Sequence, residues 1–285
     1  MFDVTVFGSA NLDLVVTVER HPRPGETLLG DSYTEFPGGK GLNQVVAAAR
    51  AGASTSFHSA VGDDAAGNRL RSLVLDEKID DSYLFTSIGQ PTGRAAIVVN
   101  ASGENSIVVV PGANAAVVAP ATLPPCRVLL TQLEVPIAGV QATLTLARLA
   151  GTMTLLNPAP AQTLDNSLLS LCDVVIPNEH EVELLGGIDA LHAAGVGTVI
   201  VTRGADGVTI SRDGATEDRN AIAVDVVDTT GAGDAFCGNL AARLALGDGF
   251  CDAIDWALAA GAVAVTLPGA VPSLPYATQT AQLIG

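Results

Sequence analysis

Four short apolar runs set the frame of the chain: CRVLLTQLE from Cys126, TMTLLN from Thr152, CDVVIPN from Cys172 and GTVIVT from Gly197. Each is bounded by Gly, Asn or Pro, and stretches of helical character fall among them, one beginning after Pro136 and another at Glu179. Runs this apolar have no wet face, so each strand is buried on both sides. Parallel strands joined by crossover helices bury both faces of a sheet. The first half repeats the alternation. DVTVFG reads as a buried strand, NQVVAAARAG as a helix ended by Gly52, STSFHSAVG as a strand, and Ala65–Leu75 as a helix. The expected fold class is α/β: one domain over residues 1–285, with a large doubly wound, mostly parallel Rossmann-like sheet flanked by helices. Such sheets bind ligands at the carboxyl ends of their strands.

Two segments depart from this pattern. Residues 12–36 contain strands around a Pro/Gly turn and no helix, and residues 94–112 read as a β-hairpin with NASGEN at its tip. Two strands alone are marginal, but four sharing one apolar face hold together. The expectation is a small β-sheet lid, formed from about 12–36 and 94–112, over the ligand edge of the large sheet.

Charge excludes two classes of partner. The formal net charge is −16, whereas nucleic acid and anionic membrane surfaces both require clustered Lys and Arg. Neither is expected as a partner. Cys126, Cys172, Cys237 and Cys251 are scattered without a CxxC pair, which suits buried thiols in a reducing compartment. The opening MFDVTVFGSANLD has no signal-peptide character, and a cytoplasmic location is expected.

Chemistry-bearing residues gather where the strands end. In DTTGAGDAFCGNL, residues 228–240, Gly231, Ala232 and Gly233 precede Asp234 at the mouth of a helix. Helix N-termini present unpaired N–H groups and attract anions, and small side chains let a ligand approach. Asp234 is there either a helix cap or a base aimed at whatever carries the anion. PGGKGLNQ, residues 37–44, is a glycine-rich turn into a helix. It lacks the Walker A spacing, and Asn43 offers both a donor and an acceptor to a polyol. SANLD brings Asn11 and Asp13, equally readable as an Asx turn. TQLEVP ends a strand on Glu134, and PNEHE places Asn178 and Glu181 at a helix start, where dipole stabilisation alone is a good explanation. VTRGADG supplies Thr202, Gly204 and Gly207 at a tight turn. Singly these are weak, but their concentration at one edge of the sheet argues for an active site.

The two glycine-rich signatures, GGKGLNQ and DTTGAGDAFCG, identify a resemblance to the ribokinase-like (PfkB) carbohydrate kinases over nearly the whole chain. NLD, GENSIVVVPGANAA, TQLEVP, NPAPA, IPNEHEVELL and TLPGAVPSLP follow the pattern of the ribokinase subgroup in order and spacing. The resemblance implies an ATP-dependent phosphotransferase acting on a primary sugar hydroxyl, with D-ribose giving ribose 5-phosphate. A nucleoside or a ketose such as fructose is the alternative substrate. It also implies that the N–H groups of Gly231, Ala232, Gly233 and Asp234 form an anion hole, with Asp234 as general base. Asn11, Asp13, Gly39, Lys40, Asn43 and Glu134 would then hold the sugar. Asn178 would lie by the phosphates, Glu181 by magnesium through water, and Thr202, Gly204 and Gly207 by the nucleotide. A potassium ion would take the Asp228 carboxylate, the carbonyls of Thr230, Ala264, Leu267 and Gly269, and the Ser273 hydroxyl, donors suited to a hard cation.

Three places depart from the subgroup pattern. Leu258 stands where a polar residue near the adenine is frequent, Leu267-Pro268 replaces a basic pair, and the 186–197 segment is short. A sugar-binding sensor without turnover is the reading from a different class, and the intact Asp234 signature argues against it. The apolar residues of the lid further imply a homodimer through it, expected to include Val16, Val18, Ile97 and Val99 or their neighbours.

Overall fold

The computed structural model describes residues 1–284. Its strands in the first half are β1 (Phe2–Phe7), β2 (Asn11–Thr17), β3 (Ser32–Gly38), β4 (Thr55–Gly62), β5 (Leu84–Ser87), β6 (Gly93–Val99) and β7 (Asn105–Val110). The second half adds β8 (Cys126–Thr131), β9 (Met153–Leu156), β10 (Val174–Val175), β11 (Thr198–Thr202), β12 (Val208–Arg212) and β13 (Ala215–Arg219). The helices are α1 (Lys40–Arg50), α2 (Ala65–Asp76), α3 (Ile137–Ala150), α4 (Asn166–Leu169), α5 (Glu179–Leu184) and α6 (Ile188–Ala193). They continue with α7 (Ala232–Leu246), α8 (Phe250–Ala264), α9 (Ala270–Ser273) and α10 (Ala277–Ile284). No helix among the described residues is long and apolar enough to cross a membrane.

Nine strands form one sheet in the order β13-β12-β11-β10-β9-β8-β1-β4-β5. All its pairs are parallel except β11–β12 and β12–β13, which are antiparallel. Side chains alternate across a strand, and the alternation sorts the core into two layers. Val4, Val6, Leu130 and Leu155 pack with α1, α7 and α8 on one face. Phe7, Leu129 and Leu156 pack with Val140 and Leu144 of α3 on the other. Each fully buried side chain of this size contributes about 1.5–3 kcal/mol of transfer free energy. Both faces therefore need their helices, as the unbroken apolar runs require. In the short 186–197 segment, α6 has six residues and leaves Leu191 as its buried residue.

The second sheet, β3-β2-β6-β7, falls in the two segments that lack helices. Its register corrects one expectation about its faces. Val15 pairs with Ile97 and Thr17 with Val99, while Val16 pairs with Val98. Val16 therefore lies on the face opposite Ile97 and Val99, and Val18 is buried within the chain. The bare apolar residues are instead on the edge strand β7, where Ile107, Val108, Val109 and Val110 are all about half exposed or more.

Candidate active site

Asp234 occupies the first turn of α7, and Gly231 is the residue before that helix. Gly231 adopts φ +80°, and a Cβ there would stand 3.1 Å from the Ala270 Cα, so glycine is needed for both reasons. Among the described residues the N–H groups of Gly231, Gly233 and Asp234 meet no protein acceptor. That of Ala232 turns back to the Thr229 carbonyl at 3.3 Å, a long bond. Three free N–H groups at a helix mouth thus face the cleft, and Ala232 is the weakest member of the expected set.

The Asp234 carboxylate is buried, and one amide holds each of its oxygens. Asn43 Nδ2 donates to Oδ2 at 2.8 Å, and Gln44 Nε2 donates to Oδ1 at 2.9 Å. A residue that merely caps α7 would accept backbone N–H groups; no cap bond of that kind is made by this side chain. Asn43 and Gln44 come from α1, whose first residues sit at the carboxyl end of β1 because Gly41 packs directly against the Ser9 backbone.

A cleft of about 220 Å³ opens beside Asp234, lined also by Lys40, Asn157, Ala159, Asn178, Glu181, Thr202, Thr229, Gly231 and Gly233. Burial opposes the charge on Lys40, but Asp234, Glu134 and Glu181 outweigh it and hold the ammonium above its ordinary range. Asn178 and Glu181 form a capping box for α5. Asn178 Oδ1 accepts the Glu181 N–H and Glu181 Oε2 accepts the Asn178 N–H, both at 2.8 Å. The structural role and the cleft position coexist, because one Glu181 oxygen stays outside the box. Burial raises the Glu181 carboxyl, against the Asn178 N–H and the Lys40 charge.

The sugar-binding candidates cluster on the other side of Lys40. The Glu134 carboxylate accepts the Ser9 hydroxyl at 2.5 Å and the Lys40 backbone N–H at 2.9 Å. Asn11 is buried, and its Oδ1 accepts Asn114 Nδ2 at 2.7 Å. Asn114 was not singled out from the sequence, yet it also takes the Ala10 N–H and so orients this strand end. Gly39, with φ +86°, leads into α1. Asn43 Oδ1 and Asp13 Oδ1 are buried polar atoms with no hydrogen-bond partner, which suits groups awaiting a hydroxyl.

Thr202 ends β11, where its N–H donates to the Pro177 carbonyl at 2.8 Å, and Gly204 and Gly207 lie in the turn that follows. Only Thr202 reaches the cleft. The cation candidates gather behind the α7 mouth. Asp228 accepts the Thr230 N–H at 2.9 Å and the Gly269 N–H at 2.8 Å, and buried Ser273 donates to the Ala270 carbonyl at 2.8 Å. Ala264 ends α8, and its carbonyl accepts the Leu267 N–H at 3.4 Å.

Burial, then the Glu134 charge, lift the Asp13 carboxyl from 3.8 to about 7, with an Ala95 N–H opposing and Asp234 adding to the rise. The folded chain thus keeps a proton that the unfolded chain lacks between those values. Stability from this group is present at the acid end and falls as pH rises through the window. The stability difference between Asp13→Asn and wild type is therefore expected to move in the variant's favour from about pH 5 to about pH 8. Urea melts across that range measure it, and a difference that does not change with pH overturns the assignment.

Residues 1–277 match the pfkB family carbohydrate kinase pattern. A ribokinase of Haemophilus influenzae is 39% identical, the match covering 99% of this chain and 98% of the relative. Among solved structures, that of Arabidopsis thaliana ribokinase complexed with ribose and ATP superposes with a TM-score of 0.91 at 29% identity, over 99% of this chain and 98% of that one. Ribokinase from Thermotoga maritima superposes with a TM-score of 0.92 at 32% identity, over 100% of this chain and 99% of that one.

Proposed function

The chain belongs to the pfkB family of carbohydrate kinases, and from that premise we propose that it transfers the γ-phosphoryl group of ATP to the primary hydroxyl of D-ribose, giving ribose 5-phosphate. The observation that carries the transfer is the buried Asp234 carboxylate, held at both oxygens beside the free N–H groups that open α7. Ribose as the sugar is supported by the relatives, including one bound to ribose and ATP.

Asp234 takes the proton of the primary hydroxyl as that oxygen bonds to the γ-phosphorus and the bond to the β-bridging oxygen breaks, releasing ADP. The transition state is loose, so positioning and charge stabilisation carry most of the rate. The Gly231, Gly233 and Asp234 N–H groups, with a contribution from Ala232, receive the developing charge on the phosphoryl oxygens, and the Lys40 ammonium adds to it. Asn178 and Thr202 line the phosphate side, and Gly204 and Gly207 shape the nucleotide turn. Asn11, Asp13, Gly39, Asn43 and Glu134 hold the sugar hydroxyls. The orphaned Asp13 and Asn43 oxygens are the acceptors.

No cluster of three metal-ligating side chains exists among the described residues. This fits a magnesium ion that arrives on the phosphates and keeps its waters; Glu181 would hold it through water, and it would neutralise phosphate charge. Asp228, Ser273 and the carbonyls of Thr230, Ala264, Leu267 and Gly269 fit a potassium ion, because all are hard oxygen donors on the loops entering α7 and α9 and the helix ends beside them, with Asp228 joining the two loops. Bound there, the ion would fix the α7 mouth. A cytoplasmic location suits a kinase of free sugars whose four cysteines are all unpaired.

A coupled ADP-release screen over ribose, 2-deoxyribose, fructose and common nucleosides tests the substrate. The highest kcat/KM is expected for ribose. Preference for a nucleoside or for fructose overturns the assignment and leaves the phosphotransfer standing.

The second sheet also supports a homodimer. Val16, Val98, Val108 and Val110 share the face opposite Asp13 by register. An exposed apolar sheet face of this kind commonly marks a partner surface, and a two-fold axis would bury it against its own copy. Light scattering is expected to show a dimer for the wild type and a monomer for the Val108→Asp, Val110→Asp double variant. A monomeric wild type at tens of micromolar overturns the proposal.

A further inference from the structure

Behind Asp234 lies a chain of amides that the transfer itself does not use. Gln44 donates through Nε2 both to Asp234 Oδ1 at 2.9 Å and to Asn157 Oδ1 at 3.1 Å. Asn157 in turn donates to the Ile176 carbonyl at 2.9 Å, which forces its own oxygen toward Gln44. With two acceptors on its nitrogen side, Gln44 can present only its oxygen to Gln132, whose Nε2 donates there. Every amide in the chain therefore has one permitted orientation, and the donors of Gln132 and Gln44 run in series toward Asp234. Gln44 and Gln132 are fully buried, and neither lines the cleft.

The far end of the chain shows that packing did not select it. Gln132 Oε1 is buried without a hydrogen-bond partner. Such an orphan destabilises a fold, and an apolar side chain of the same length would remove it. A polar group kept at that cost points to a requirement outside stability.

We propose that Gln44, oriented by Gln132, is a positioning residue for the base. It fixes the Asp234 carboxylate from behind, so that its rotation about the side chain is locked before substrate arrives. The inference rests on the reading of Asp234 as the base, and Gln44 acts only through that group.

Steady-state kinetics on Gln44→Met, Gln132→Met, Asp234→Asn and the Gln44→Met, Asp234→Asn double variant test it, with ribose and ATP as the probes. Met keeps the length and apolar bulk, and circular dichroism with thermal melts confirms that each variant is folded. Gln44→Met is expected to lower kcat by about 10- to 100-fold, the scale of a small misplacement of a reacting group, with both KM values within about twofold of wild type. Gln132→Met, one amide further away, is expected to lower it less, by about 3- to 10-fold. In the Asp234→Asn background, Gln44→Met should change the residual turnover by less than about twofold, since the group it positions is gone.

A folded Gln44→Met with kcat within twofold of wild type overturns the inference. So does an equal loss in both backgrounds, which marks a general effect on the fold. Neither touches the base assignment, which fails separately if Asp234→Asn alone keeps near-normal kcat.

Discussion

Replacing Asp234 with asparagine is expected to lower kcat by about 10²- to 10⁴-fold, the range for loss of a general base. The fold should survive because of a detail in α1. An asparagine at 234 would set a nitrogen against one of two donors, Asn43 Nδ2 and Gln44 Nε2. Gln44 has no freedom to turn, but Asn43 does, since its Oδ1 has no partner. Turning Asn43 over would place that oxygen on the new amide and restore both bonds. The variant is therefore expected to melt close to the wild type and to bind ATP, as read by thermal melts with and without nucleotide. Its sugar KM should rise, because the turned Asn43 loses the acceptor it offers to a hydroxyl. A folded variant with near-normal kcat returns Asp234 to the role of a helix-end residue.

Asp228→Ala is expected to cost about 10²- to 10³-fold in kcat, comparable to losing a donor from an anion hole. Burial works against the Asp228 charge, but the N–H groups of Gly269 and Thr230 overcome it and keep the carboxyl below its ordinary range. One ionised side chain thus ties the loop entering α7 to the loop entering α9. Cutting it frees the backbone that carries Gly231, and it removes the only carboxylate among the proposed potassium ligands. Rates in potassium, sodium and tetramethylammonium chloride separate the two effects. The wild type is expected to be fastest in potassium, and Asp228→Ala to be slow and equal in all three. Equal wild-type rates in the three salts overturn the cation assignment while leaving the tie intact.

The large sheet was legible because burial on two faces writes itself as continuous apolar runs, and DVTVFG and CRVLLTQLE have no other good home. The second sheet was legible for the opposite reason, the lack of helical spacing in two segments. The hairpin β12–β13 is less apparent, because the eye follows strand–helix alternation there. Its signal is nonetheless local: Asp213 and Gly214 both take positive φ in a two-residue turn between Arg212 and Ala215. Face assignment in the second sheet could not be read from Val15-Val16 or Ile97-Val98-Val99. Adjacent apolar residues fit either register, and only the pairing of Val16 with Val98 decides it. In the site, glycine-rich turns and carboxylates announced themselves by type and position. Gln44, Gln132 and Asn114 did not, since an amide acquires its role only from what the fold brings within 3 Å of it, and no spacing rule records that.

The position of β1 has a consequence for how the chain is made. β1 leaves the ribosome before both of its neighbours, yet it is an interior strand of the finished sheet, with Val4 paired to Thr55 on one side and to Val128 on the other. The first edge can close soon after β4 appears. The second stays open until β8 is out, about 70 residues later, or roughly 4 to 14 seconds at usual elongation rates. Through that interval a half-sheet exposes the β8-side edge of Val4, Val6 and Phe7, a template on which another nascent chain could pair. Soluble yield is therefore expected to rise with chaperone supply early in translation, and slowing elongation between β4 and β8 is expected to lower it without altering the stability of the chains that do fold.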